Sequence, residues 1–372
     1  MNPDGPQEKV VWEEDNPGDV EPRHWMNDLS FHFTLSVEKI PHEGEDGPPL
    51  YVPSSSDVVW LGVFDGVGGA GKKRHAVQGQ RQWTEARIAS HVVSSALVDW
   101  LSSPTVGEYL AGRSLGPAIR ECVEHSLGAT NESFRRHEPT SRPVITGTAI
   151  KAFPTTMALA RVEQRPGEVD VRVLWAGDSR IYCLSPEGGM QQLTEDHVRK
   201  ADPSCHHAAD RPMTNMLSAG APFHVAERAV THDVPVIVFA ATDGCFEYFR
   251  YPVGFEQAVL ETMQHARDAT SWHEALAVTL NDVASDDCTM SLLAVGWDSF
   301  ESMQQEFAAR WTDVNRRMGE IEAARQRIDD VSKRRDEELR RLQEELLALA
   351  DERSPGHRAR HIIHEEWSSG AP

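Results

Sequence analysis

Three aspartates in this chain each close an apolar run and adjoin a glycine. Asp65 follows Val58-Val59-Trp60-Leu61-Gly62-Val63-Phe64 and precedes Gly66. Asp243 follows Val236-Ile237-Val238-Phe239-Ala240-Ala241-Thr242 and precedes Gly244, and Asp178 follows Val171-Arg172-Val173-Leu174-Trp175-Ala176-Gly177. Runs of this length and composition suit strands deep in a layered fold. The adjoining glycine lets the backbone turn sharply where each strand ends. A fourth acidic pair, Asp286-Asp287, stands just before another run beginning near Met290. A single Asp-Gly after a strand reads as a plain turn, because Asp bonds its own backbone and Gly supplies positive φ. Several carboxylates delivered from rigid strand ends toward one region are also what a hard divalent cation requires. Mg²⁺ and Mn²⁺ take oxygen ligands and keep several waters.

The rest of the chain places these runs. Val58 to Phe64, Thr156 to Val162, Val169 to Ala176, Ile181 to Leu184, Val234 to Ala241 and Met290 to Val295 are strand-length and mostly bounded by Gly, Pro or Asp. Between the first two lie helical patterns over residues 82–103 and 115–137, and Ile88, Val92, Ala96 and Trp100 recur along one face of the first. Further helices are expected over 254–267 and 271–283. Strands in runs, interrupted by helices in pairs, predict an α+β layered domain. Residues 1–22 lack periodicity and read as a flexible lead-in, and residues 36–57 have the composition of a loop between strands.

From Phe300 the texture changes. Phe300, Phe307, Val314, Ile321, Ile328, Leu342 and Leu349 fall on a seven-residue grid broken at Arg335. Trp311, Met318, Leu339 and Leu346 lie four residues after members of that grid, with breaks at Arg325 and Ser332. This heptad predicts a long coiled-coil helix over 300–352, followed by a flexible tail over 353–372. Such a stripe either packs back on its own domain or associates with a second copy or a helical partner. Its length favours association.

The chain carries 58 acidic against 37 basic residues, a formal net charge of −21. That excess repels a nucleic-acid backbone, and a phosphorylated ligand would need local cations to invert the field. The five cysteines are scattered and without Cys-x-x-Cys spacing, so neither a zinc framework nor a disulfide ladder follows. The acidic start has no apolar run to serve as a signal peptide, and no stretch reaches the ~18 apolar residues of a membrane span. The expected location is the cytoplasm.

Order and wording of the motifs add a resemblance. Asp65-Gly66-Val67-Gly68-Gly69, Thr155-Thr156, Ala176-Gly177-Asp178-Ser179-Arg180, Leu193-Thr194-Glu195-Asp196-His197, Thr242-Asp243-Gly244 and Asp286-Asp287-Cys288-Thr289 resemble the metal-dependent protein phosphatase family, type 2C, of bacterial kind. The resemblance covers about residues 20 to 297, giving a phosphatase domain over 23–297. Arg23 and Asp28 look like the family's opening Arg-x-x-x-x-Asp element.

The resemblance implies a four-layer α-β-β-α sandwich of two antiparallel sheets with metals between the sheet edges, followed by the long C-terminal helix. It implies two Mn²⁺ or Mg²⁺ ions, with Asp65 bridging them, the carbonyl of Gly66 on one, and Asp243 and Asp286 completing the site of the other. Asp178 would serve a weaker third ion. Asp28 would hold water and Arg23 would clamp the substrate phosphate. The family pattern selects Asp286 over Asp287 as ligand. Eukaryotic members carry His where this chain has Val67, which leaves the general acid unassigned. His197 reads as a structural residue, and His206 and His207 fall in the family's variable flap. The implied activity is hydrolysis of phosphoserine or phosphothreonine on a phosphoprotein by in-line attack of metal-activated water. The alternatives are a catalytically weak phosphatase-like binding module acting through the coiled-coil arm, and an enzyme on a small phosphoester.

Overall fold

Val59, Leu61 and Val63 alternate with Val58, Trp60 and Phe64, and the two sets face different cores. This is why the run is apolar throughout: its strand is covered on both faces. The computed structural model describes residues 22–25, 28–77, 82–110, 113–137, 152–199 and 212–352. The expected lead-in (all but its last residue), the tail 353–372, and His206 and His207 lie outside the described residues.

The strands in chain order are β1 (Pro22–Trp25), β2 (Asp28–Val37), β3 (Leu50–Pro53), β4 (Val58–Val63), β5 (Arg74–Ala76), β6 (Gln82–Thr84), β7 (Ala152–Thr155) and β8 (Met157–Arg165). They continue with β9 (Glu168–Ala176), β10 (Arg180–Ser185), β11 (Gly189–Gln192), β12 (Leu217–Ala219), β13 (Ala226–Asp233), β14 (Val236–Ala241) and β15 (Cys288–Val295). One antiparallel sheet runs β1-β2-β15-β14-β10-β11 and the second runs β13-β9-β8-β4-β3. Their facing sides share one core of mainly aliphatic side chains, including Val59, Val162, Val171, Ile181, Val238 and Leu293.

Helices cover both outer faces. On the second sheet lie α1 (Glu85–Leu101), a short α2 (Val106–Leu110) and α3 (Leu115–His137), with Ile88, Val93, Leu97, Ile119 and Val123 packed on Trp60 and Phe64. Thr84 caps α1 by accepting from the Arg87 amide at 3.1 Å. On the first sheet lie α4 (Pro252–His265) and α5 (Ala269–Val283), with Phe255, Leu260, Trp272 and Leu276 packed on Ile237 and Phe239. The result is the α-β-β-α sandwich.

Residues 226–233 form β13, an edge strand paired along its length with β9. The polar pattern that reads as loop belongs to a strand with one solvated face.

The chain divides into two units, Met1–Val314 and Asn315–Pro372, and α6 (Phe300–Glu352) crosses the boundary. Its first turns, through Val314, belong to the first unit. Met303, Phe307 and Val314 are fully buried in the core beneath α4 and α5. Arg310 forks onto Glu256 at 2.7 and 2.9 Å. Gln304 Nε2 donates to the carbonyls of Met263 and Ala266, both at 2.8 Å, satisfying the end of α4. In the second unit Ile328, Leu339, Leu342, Leu346 and Leu349 are exposed.

Candidate metal centre

Each carboxylate of the centre is held by the strand it follows. Beyond β4, the Asp65 carbonyl accepts from the Thr156 amide at 2.8 Å and from Thr155 Oγ1 at 2.7 Å. Thr156 Oγ1 pairs with Ser179 Oγ at 2.6 Å, which joins the Asp65 turn to the Asp178 turn. Both threonines are fully buried, so Thr155-Thr156 is a brace between two ligand-bearing loops. Gly177 has φ +112°, and a Cβ there would sit 2.6 Å from the Thr156 side chain; only glycine fits.

Asp243 follows β14 and opens a short 3₁₀ turn, Asp243–Cys245. Thr242 exchanges backbone and side-chain bonds with Thr289: its amide donates to the Thr289 carbonyl at 3.0 Å, and its Oγ1 accepts from the Thr289 amide at 2.9 Å. The same hydroxyl donates to Asp46 Oδ2 at 2.9 Å. Asp287 is otherwise engaged. Its Oδ1 accepts from the Lys39 amide at 2.8 Å and its Oδ2 from the Glu45 amide at 2.6 Å. It therefore fastens the loop 38–46, while its neighbour Asp286 acts electrostatically on Asp65, Asp243 and Asp46.

Carboxylate oxygens from Asp65, Asp178 and Asp243 all lie within 4.8 Å of one another. Burial, and then mutual repulsion led by Asp243, holds the Asp65 carboxyl well above the usual range. Burial and the charges of Asp178, Asp46 and Asp286 do the same to Asp243. Asp46 is pushed up to about 7 by burial and by Asp287 and Asp286, against hydrogen bonds from Thr289 and Thr242. Burial raises Asp178 to about 6, and its Oδ1 is buried without a hydrogen-bond partner. Crowded carboxylates and an orphaned buried oxygen are costly unless a cation joins them. An all-oxygen donor set fits Mg²⁺ or Mn²⁺.

A family model described as protein phosphatase 2C matches residues 51–281. The chain belongs to the protein phosphatase 2C family. It is thus a metal-dependent serine/threonine phosphatase, a hydrolase. No curated protein sequence matches it. Among solved structures it is similar to the Mycobacterium tuberculosis serine/threonine phosphatase PstP/Ppp, at 16% identity over 71% of this chain and 98% of that one, TM-score 0.44. It is similar to the S. agalactiae serine/threonine phosphatase at 16% identity, over 72% of this chain and 100% of that one, TM-score 0.47. For Stp1 from Staphylococcus aureus the values are 12%, 77%, 100% and 0.48.

The backbone of two sequence-predicted residues, Asp28 and Arg23, lies at the end of β2 away from Cys288 and Asp286. Asp28 begins β2, and the other end of that ten-residue strand, Val37, pairs with Cys288 beside Asp286. About 30 Å of extended chain separates the two ends. Arg23 pairs with Ser30 at the same far end. Asp46, in the loop after β2, is near enough to Asp65 and Asp243 to raise both carboxyls. Asp46 sits in the stretch 36–57, whose composition is that of a loop between strands. The signal was there: Asp46-Gly47 is one more Asp-Gly, placed before a strand, β3, rather than after one.

His197 stands behind the centre. Its Nδ1 lies 3.1 Å from Asn215 Nδ2 and accepts from the Gly177 amide, and its ring stacks on Trp175. Arg180, next but one to Asp178, forks onto Asp196 at 2.9 and 2.6 Å.

Proposed function

We propose that this phosphatase hydrolyses phosphoserine or phosphothreonine on proteins by in-line attack of water at a centre of two divalent cations. Asp65, the Gly66 carbonyl, Asp243 and Asp286 would hold the pair, and Asp178 a weaker third ion. The observation that carries this reading is the convergence of Asp65, Asp178 and Asp243 oxygens within 4.8 Å. When bound, Mn²⁺ or Mg²⁺ supplies activation of water near neutral pH and neutralises charge on the phosphoryl oxygens.

The chain's own residues do the rest. Thr155 and Thr156 fix Asp65, and the Thr242 hydroxyl aims Asp46 into the cluster. Asp46 is proposed to hold and orient the attacking water, the part the resemblance implies for Asp28. A thiolate nucleophile is not needed, and burial pushes the Cys183 thiol up to about 12 and the Cys245 thiol well up.

The proposed location is the cytoplasm: Cys122, Cys183, Cys245 and Cys288 are free thiols. Among the described residues no helix is long and apolar enough to cross a membrane. The exposed Ile328, Leu339, Leu342, Leu346 and Leu349 support pairing of this part of α6 with another helix. The test of the site is Asp243→Asn, which abolishes Mn²⁺-dependent turnover of a phosphothreonine peptide while the far-ultraviolet circular dichroism stays unchanged. Full activity in that variant would sink the assignment.

A further inference from the structure

The arm of α6 in the second unit carries its charges in a definite order. Over residues 316–345 basic and acidic side chains alternate in short blocks. Arg316-Arg317 is followed by Glu320 and Glu322, then Arg325 and Arg327, then Asp329-Asp330. Lys333-Arg334-Arg335 is followed by Asp336-Glu337-Glu338, then Arg340-Arg341, then Glu344-Glu345. Nine basic and nine acidic residues cancel here, in a chain whose net charge is −21. A second copy can therefore approach along this segment without the repulsion that the rest of the chain carries.

Alternating charge by itself steadies a lone helix, through pairs such as Arg316–Glu320 at 2.6 Å. It gives no reason for apolar side chains in water, yet Ile328, Val331, Leu339 and Leu342 are all exposed in this segment. A stripe of that kind is covered when a second helix lies along it. The order of the blocks says which helix. Eight blocks of alternating sign, read backwards, begin with the opposite sign. A second copy laid antiparallel about residue 331 sets Arg317 opposite Glu345, Glu322 opposite Arg340, Arg325 opposite Glu337 and Asp329 opposite Lys333. Laid parallel and in register, each block meets its own sign.

The apolar positions fit the same reversal to within one residue. Ile321 shares a layer with Leu339, Met318 with Leu342 and Ile328 with Ser332. Val331 stands beside the heptad stripe and is 64% exposed; at the centre of the reversal it meets its own copy. Arg325 and Arg335 share a layer, and each brings carboxylates of its own. Arg325 lies 3.6 Å from Glu322 and 3.8 Å from Asp329, and Arg335 lies 2.9 Å from Asp336. Their stems cover the seam while their heads reach these acids.

We propose that residues 316–345 pair antiparallel with the same segment of a second copy of this chain, making the phosphatase a dimer. The proposal rests on the reading above that this part of α6 pairs with another helix, and it names that helix and its direction. The overlap is about 45 Å long, so the N-terminal ends of the two arms lie about that far apart.

The test is light scattering and site-directed cross-linking of the full chain, which is expected to have the mass of a dimer. Arg316→Glu with Arg317→Glu is expected to weaken the dimer about tenfold or more. Adding Glu344→Arg and Glu345→Arg to the same chain restores it, because the opposed blocks again differ in sign. Ile321→Cys and Leu339→Cys chains, mixed and oxidised, are expected to yield peptides linked between positions 321 and 339, identified by mass spectrometry. A monomer at every concentration overturns the second copy as occupant. Failure of the second reversal to restore the dimer overturns the antiparallel direction, as do links of 321 to 321 and 339 to 339. In those two cases the dimer itself still supports the reading that α6 pairs with a helix.

Discussion

The Gly177 amide donates to His197 Nδ1 at 3.1 Å, and the His197 amide donates back to the Gly177 carbonyl at 2.9 Å. This reciprocal pair locks the turn that aims Asp178 at the cluster. His197 must be neutral to accept, and burial together with His224 lowers its pKa. A histidine whose folded pKa lies below its unfolded one contributes stability fully above about pH 6.5, lost as pH falls through the folded value. His197→Ala is expected to weaken Mn²⁺ binding at the Asp178 side about 10-fold or more, as loss of a ligand-orienting partner does. Calorimetric titration checks it, and unchanged affinity would remove His197 from this role.

Asp46 and Asp178 hold their protons up to about pH 7 and about pH 6, above the ordinary 3.8. The folded chain then binds more protons than the unfolded chain between about pH 4 and 7, so these groups lower stability as pH rises through that window. In metal-free protein, Asp178→Asn is expected to melt above the parent by a margin that grows from pH 4 to pH 7. Saturating Mn²⁺ reverses the order, because the parent gains a ligand-linked term that the variant lacks. Differential scanning calorimetry at several pH values reads both, and a margin independent of pH would contradict the crowding argument.

Asp286 and Asp287 are adjacent and separable. Asp287→Ala removes the acceptor for the Lys39 and Glu45 amides and is expected to cost about 2–4 kcal/mol in denaturant unfolding. Asp286→Ala is expected to leave metal-free stability unchanged or raised and to lose Mn²⁺ affinity. Equal destabilisation by both would blur the division between fastener and ligand.

The base of α6 is part of the first unit's core. Phe307 is fully buried, so Phe307→Ala is expected to cost about 3–5 kcal/mol. Leu342 is 51% exposed. Leu342→Glu is expected to leave the first unit's melting unchanged and to lower the mass seen by light scattering. An unchanged mass would contradict pairing through this helix.

What was legible in the sequence follows from burial. Strands covered on both faces, such as β4 and β14, carry uninterrupted apolar runs, and the acids at their ends stand out. β2, with Phe31, Phe33 and Leu35 buried between Ser, His and Thr, gives no such run, and the hairpin it forms with β1 was invisible. The site roles of Arg23 and Asp28 rest on the family resemblance alone, and Asp46, after β2, stands in a stretch whose composition reads as loop. The heptad of α6 was plain, but its period is identical whether the partner is the protein's own core or another helix. Only the placement of Met303, Phe307 and Val314 beneath α4 and α5 separates the two uses along one stripe.

The most direct test of the central claim is phosphate release from a phosphothreonine peptide, with and without Mn²⁺, for the full chain and for Asp65→Asn. The account predicts release that requires both the metal and the Asp65 carboxylate. Equal release by the variant, or none from folded protein with Mn²⁺, would contradict it.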